Sequence, residues 1–166
     1  MIVSNSSPLI FLAKLGLFDP VKKLYQTIAI PAEVHEEVIA RGKKEGFSDV
    51  MLLEKEIRDG YLKVLDVKEK NTKNIPLGLH LGEVRAIQLC GEQKLKKILL
   101  DDKEAIAYAR LLGLQPIRTT RLLLELVKQQ HLSKEQFKHA LIRLSQEGYF
   151  MTIDVYDYLL EEVEKH

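Results

Sequence analysis

Five short apolar runs, IVS at 2–4, TIAI at 27–30, YLKVLDV at 61–67, KILL at 97–100 and QPIR at 115–118, are spaced along the chain with helical patterns between and after them. That alternation is the tightest constraint on the fold. Strands separated by helix-length segments pair in parallel, because a parallel partner is reached only by a crossover. The expectation is a three-layer α/β/α fold around a central parallel sheet of about five strands. With 166 residues and 46% hydrophobic content, a single domain over 1–166 can bury a substantial core.

The local signals agree with this order. After IVS comes the polar cluster Ser4-Asn5-Ser6-Ser7, then PLIFLAKLG. Here Ser7 reads as an N-cap, Pro8 as the first helical residue and Gly16 as the stop. DPVKKLY is a second short helix. AEVHEEVIARG sets Val34, Val38 and Ile39 on one side and ends at Gly42; SDVMLLEKEIRDG is capped by Ser48. KEKNTKNIPLGLH reads as a loop, the most mobile part of the chain. Gly82 opens the helix EVRAIQLCGEQK, and DDKEAIAYARLLG stops at Gly113. Three amphipathic helices finish the chain; Ser133 with Gln136 has capping-box spacing, and Thr152 caps the last.

Several functions are excluded or weakened by what these residues are. Lys+Arg 25 against Asp+Glu 24 gives a formal charge of +1, so any nucleic-acid contact is local rather than a property of the whole molecule. Cys90 is the only cysteine, which rules out an intramolecular disulfide and a multi-thiolate zinc site and fits a reducing compartment. The five histidines form no H-x-x-x-H pair. G-x-G-x-x-G after the first strand, a P-loop and a G-x-S-x-G elbow are all missing. A phospho-acceptor receiver would need acids after the first strand, where this chain has Asn and Ser. With no secretory pattern and no apolar run near the ~18 residues of a membrane span, a soluble, cytoplasmic protein without a membrane partner is expected.

In a parallel α/β sheet, ligands gather beyond the carboxyl ends of the strands, where strand order reverses. Asn5, Ser6 and Ser7 follow the first strand, Asp101-Asp102 follow KILL, and Thr119-Thr120 follow QPIR. Glu83 opens the helix before KILL, and Glu37 lies in the helix after TIAI. Acids dispersed over several strand ends suit a hard cation, which takes oxygen ligands and substrate phosphates. The ordinary alternatives also stand: aspartate before a helix is a common cap, glutamate in a first turn is favoured by the helix dipole, and Glu37 has solvated neighbours in Glu33 and Glu36.

Taken together, these segments resemble the PIN domain, a family of small metal-dependent ribonucleases that includes the VapC-type toxins. VSNSSPLIFLAKLG is similar to one subfamily's opening, in which the first strand ends in Asn or Asp followed by [ST]SPLI. IPAEVHEEV resembles its P-x-x-V-x-x-E-V, and LHLGEVRAIQLC its L-x-x-G-E-x-x-A-I. ILLDDKEAIAYARLLGLQPIRTTRLLLELVKQQHL resembles the strand, Asp and helices that follow, and LSQEGYFMTIDVYDYLLEE the G-[FY]-x-[IM]-[ST]-x-x-x-Y tail. The chain departs from the pattern at Asn5, where most active members carry Asp, and at Arg118 and Arg121, where glycines are usual.

The resemblance implies a metal-dependent ribonuclease that hydrolyses RNA phosphodiester bonds, as the toxin of a toxin–antitoxin pair. The alternative is a catalytically weak or inactive PIN-like module binding RNA or a small protein. Glu37, Glu83 and Asp101 would be catalytic, and Asn5, Glu37, Glu83, Asp101 and Asp102 would hold Mg2+ or Mn2+. Ser6, Ser7, Thr119, Arg118 and Arg121 would contact substrate, with a capping role for Ser7, a turn role for Thr119 and solvated arginines as the plain alternatives. The implied partners are single-stranded or structured RNA, a small antitoxin protein and a second copy of the chain. Leu122, Leu126 and Tyr156 would serve a homodimer, or ordinary core in a monomer.

Overall fold

The computed structural model describes residues 1–45, 49–68, 76 and 78–166. Ser48 and most of KEKNTKNIPLGLH lie outside the described residues. The chain begins with β1 (Ile2–Ser4), α1 (Ser6–Leu15), α2 (Phe18–Leu24) and β2 (Ile28–Pro31). It continues through α3 (Ala32–Glu45), α4 (Asp49–Arg58) and β3 (Leu62–Leu65). After α5 (Leu81–Glu92) come β4 (Lys97–Leu99), α6 (Lys103–Leu111) and β5 (Gln115–Ile117). The helices α7 (Thr119–Lys128), α8 (Lys134–Gln146) and α9 (Ile153–Glu164) follow.

All strand pairs are parallel, and the order across the five-stranded sheet is β3-β2-β1-β4-β5. Successive strands step outward from β1 to β2 and β3; the chain then crosses back and steps the other way, to β4 and β5. The reversal falls between β1 and β4, whose register pairs Val3 with Ile98 and Ser4 with Leu99. The loops leaving these two strands diverge, and a crevice opens between them.

Alternation along the short strands feeds two cores. Ile2, Ile28, Ile30 and Leu99 join Leu12, Val21, Leu53, Leu123, Phe137 and Leu159 on the face covered by α1, α2, α4, α7, α8 and α9. Val3, Ala29, Ile98 and Leu100 face the other way, against Ala86, Ile87, Cys90, Ala105 and Ala109 of α5 and α6. The result is the three-layer α/β/α arrangement. Each fully buried Leu, Ile or Phe contributes about 1.5–3 kcal/mol relative to exposure, so the sheet is held mainly by these two apolar layers.

Helix ends follow the sequence signals with two corrections. Ser133 accepts from Gln136 N and Gln136 Oε1 from Ser133 N, Asp102 caps α6 through Ala105 N at 2.8 Å, and Thr152 caps α9 through Val155 N. Gly16, at φ +67°, lets Leu17 N–H turn back to Leu12 O and close α1. The cap of α1, however, is Asn5 in extended geometry, not Ser7; Ser7 and Pro8 lie inside the first turn, where the missing proline N–H still costs nothing. Gly42 does not stop α3. A Cβ there would sit 1.8 Å from Val50 Cγ2, so the glycine is the point at which α4 packs against a continuing α3.

Leu122 and Leu126 are fully buried, so these two are core and not available to a second copy, while Tyr156 is half-buried against the same core. The exposed apolar side chains near the C-terminus are Ile142, Phe150, Ile153, Val155 and Tyr158. No helix among the described residues is long and apolar enough to cross a membrane.

Candidate active site

At the β1/β4 reversal lies a cavity of about 1060 Å³. Asn5, Ser6, Ser7, Glu37, Glu83, Asp101, Asp102, Arg118 and Thr120 all line it, so residues far apart in sequence are gathered onto one surface. The first turns of α1, α5, α6 and α7 contribute to the wall. Their N–H groups offset part of the acids' charge, Thr119 N bonding Asp101 and Ala105 N bonding Asp102 directly.

Asn5 leaves β1 with its N–H on Leu99 O at 3.3 Å, which ties the ends of β1 and β4 together. Its side chain makes no capping bond, and among the described residues its buried Oδ1 has no hydrogen-bond partner. A buried carbonyl oxygen without a donor is costly, on the order of 1–3 kcal/mol. Next to it, Ser6 Oγ donates to Glu37 Oε2 at 2.6 Å and links α1 to α3. Ser7 is half-buried on the wall.

Glu83 reaches the cavity because Gly82 lets α5 come close to α3. A Cβ at Gly82 would lie 3.2 Å from Glu37 Oε2 and 3.3 Å from Val34 Cγ2. Glu83 Oε2 accepts from His80 N at 2.9 Å, closing the first turn. Burial pushes its carboxyl above the usual glutamate range, with Asp102 and Glu37 adding to the effect and the His80 N–H opposing it.

Asp101 is the most constrained acid. Its Oδ1 accepts from Thr119 N at 2.8 Å and from Tyr149 OH at 2.9 Å, and its Oδ2 accepts from Thr119 Oγ1 at 2.6 Å. Burial raises its pKa even against these bonds and the attraction of Arg118. Asp102, its neighbour, caps α6 with Oδ1.

Not every expected contact lies on the wall. Thr119 is fully buried with its hydroxyl given to Asp101, and Arg121 is exposed outside the cavity lining. Phe11, His80, Lys103, Val155 and the segment 148–152 complete the wall, and none of them is marked as a site residue by the sequence pattern. The tail motif GYFMT contains that segment but gives no hint that Tyr149 folds back onto β4.

Among the described residues, no three His, Cys, Asp or Glu side chains converge closely enough to hold an ion as they stand. The physical reason lies in the bonds above: Asp101, Asp102, Glu83 and Glu37 each engage at least one oxygen within the protein, and like charges keep apart. The donor set still fits a hard cation. It offers neutral and anionic oxygens, including the unpartnered Asn5 Oδ1.

Comparison with known proteins bears on the fold and the family. The family model described as a PIN domain matches residues 1–165. No curated protein matches the chain. A solved structure of a PilT N-terminus domain protein from the hyperthermophilic archaeon Sulfolobus solfataricus is similar at 21% identity with a TM-score of 0.52, covering 76% of this chain and 93% of that one. At that identity the likeness is one of fold.

Proposed function

The chain belongs to the PIN-domain family, and from that premise we propose that it is a divalent-metal-dependent ribonuclease cutting RNA phosphodiester bonds. The observation that carries the proposal is the buried, unpartnered Asn5 Oδ1 on the same cavity wall as Glu37, Glu83, Asp101 and Asp102. An oxygen-lined, surplus-negative pocket at a topological switch point is a place for a hard cation and a phosphate.

Asn5, Glu37, Glu83 and Asp101, with Asp102 beside them, would hold Mg2+ or Mn2+. When bound, such an ion polarises a phosphate oxygen and lowers the pKa of a water molecule. The remaining work belongs to the chain. The N–H groups of Ser6 and Ser7 and the Ser7 hydroxyl, at the start of α1, receive a phosphate oxygen. Arg118 and Lys103 on the wall supply the local positive charge that a molecule of net charge +1 otherwise lacks. Phe150 is 85% exposed on the rim and offers a face on which an unpaired base stacks. That favours single-stranded RNA.

The test is cleavage of a fluorescent single-stranded RNA by purified protein with Mn2+. Cleavage that needs the ion and disappears in Glu83→Ala and Asp101→Ala supports the reading. Cleavage unaffected by those changes, or lost on further purification, overturns it. RNA binding without cleavage would instead favour a non-catalytic module, a reading supported by the uncharged Asn5 and by carboxylates that do not converge.

The setting we propose is the toxin half of a toxin–antitoxin pair in the cytoplasm, with a small antitoxin protein as partner and a homodimer as the assembly. Expression should arrest growth, and Glu83→Gln should abolish the arrest; arrest that persists in the variant argues against the toxin role.

A further inference from the structure

The turn between α8 and α9 sends Tyr149 inward. Gly148, at φ +87°, lets Tyr149 N–H bond Leu144 O at 2.8 Å, so the backbone there is fixed. The Tyr149 side chain is 7% exposed, and its ring meets Phe11 edge-on at 5.1 Å. A buried tyrosine needs some acceptor for its hydroxyl. This one reaches Asp101, 48 residues away in sequence.

The three donors to Asp101 come from two directions. Thr119 holds Oδ2 with its hydroxyl and Oδ1 with its N–H, from the start of α7. Tyr149 takes Oδ1 from the C-terminal turn. A carboxylate held at both oxygens cannot rotate about its Cβ–Cγ bond without breaking several bonds at once. Oδ1 is filled by its two bonds, and Oδ2, which accepts one, keeps room for a further partner, since a carboxylate offers about four lone-pair sites.

We propose that Tyr149 is a positioning residue for the Asp101 carboxylate, which makes the α8–α9 turn a working part of the metal site. This rests on the nuclease reading above. Partners of this kind orient a ligand without touching the ion, and their loss typically weakens metal affinity by about 10–100-fold.

The test is Tyr149→Phe, which keeps the ring and its contact with Phe11 and removes only the hydroxyl. Mn2+ affinity is measured by calorimetry, kcat and KM on a short single-stranded RNA, and the melting temperature without metal. The expected result is a Mn2+ Kd raised on the order of tenfold and a lower kcat, with KM and melting temperature little changed. A Tyr149→Phe protein that binds Mn2+ and cleaves like wild type overturns the inference alone. A loss of Mn2+ affinity accompanied by a large fall in melting temperature also overturns it, because packing and not the hydroxyl would then matter. Wild-type protein that binds no Mn2+ overturns the nuclease reading, and this inference with it.

Discussion

Glu56 and Asp101 are both carboxylates drawn into the protein, near opposite ends of the sheet. Glu56 lies at the end of α4 beside Tyr61, which precedes β3; it is 1% exposed, with Lys22 Nζ 2.9 Å from both its oxygens and 5.3 Å from the centre of the Tyr61 ring. Asp101 lies where β4 finishes and is held by a backbone N–H and two hydroxyls, all neutral. Among the described residues it has no ion-pair partner within 4 Å, and the same is true of Glu83. The first arrangement sets a buried charge against its counter-charge, although Glu56 Oε2 has no hydrogen-bond partner among the described residues. The second holds a carboxylate at a cavity with no ion-pair partner in contact and only the attraction of Arg118, which is costly for folding and would suit the arrival of a cation.

Removing charge should therefore have opposite consequences at the two ends. Asp101→Asn or Glu83→Gln should lower Mn2+-dependent RNA cleavage by about 100-fold or more, equivalent to at least ~2.7 kcal/mol of transition-state stabilisation, without loss of melting temperature. Retained cleavage in both variants would place the chemistry elsewhere. At the other end, Lys22→Met strands Glu56 without its cation. Breaking a buried pair costs about 3–5 kcal/mol, discounted here to about 1–3 because the lysine is partly exposed. Urea unfolding measures this, and Mn2+ affinity should not move. A Lys22→Met protein as stable as wild type would show that the pair is not what completes Glu56.

The same contrast explains how much was legible in the sequence. Capping residues, β-branched runs and the G-E pair at 82–83 announce themselves locally, so the parallel sheet, its strand number and the acids at its strand ends could all be read. Gly42 was misread as a stop because its reason is a neighbour, Val50, that only tertiary packing brings near. Ser7 was misread as a cap because the choice among Asn5, Ser6 and Ser7 depends on Glu37, which lies 31 residues beyond Ser6 and draws its hydroxyl away. Tyr149 carries no local signal, and Thr119, expected at the substrate, turns to Asp101 instead, for the same reason: their roles are hydrogen bonds across 48 and 18 residues. Periodicity carries no information about such bonds.

Asn5→Asp sharpens the comparison by adding a charge where the site already has an excess. The new carboxylate would stand beside the N-terminus of α1 on the wall that already carries four other acids. Mn2+ affinity should rise on the order of tenfold, about 1.4 kcal/mol, because another anionic oxygen joins the set. The metal-free protein should melt at a lower temperature. Unchanged or weaker Mn2+ binding by calorimetry would show that Asn5 does not face the ion.

The smallest effect is a slope with pH. Glu83 and Asp101 both have folded-state pKa values above the ordinary 4.5 and 3.8, chiefly through burial. Between the ordinary and the raised values the folded protein binds more protons than the unfolded chain, so stability falls as pH rises through that window. Each group contributes at most about 1.4 kcal/mol per pH unit. Metal-free protein should therefore be more stable just below the raised values than above them, while Mn2+, which must displace those protons, should bind more tightly as pH increases. Glu83→Gln removes one of the two groups and should flatten both trends in part. If Glu83→Gln left both trends as steep as in wild type, burial of that carboxylate at the cavity would not be their source.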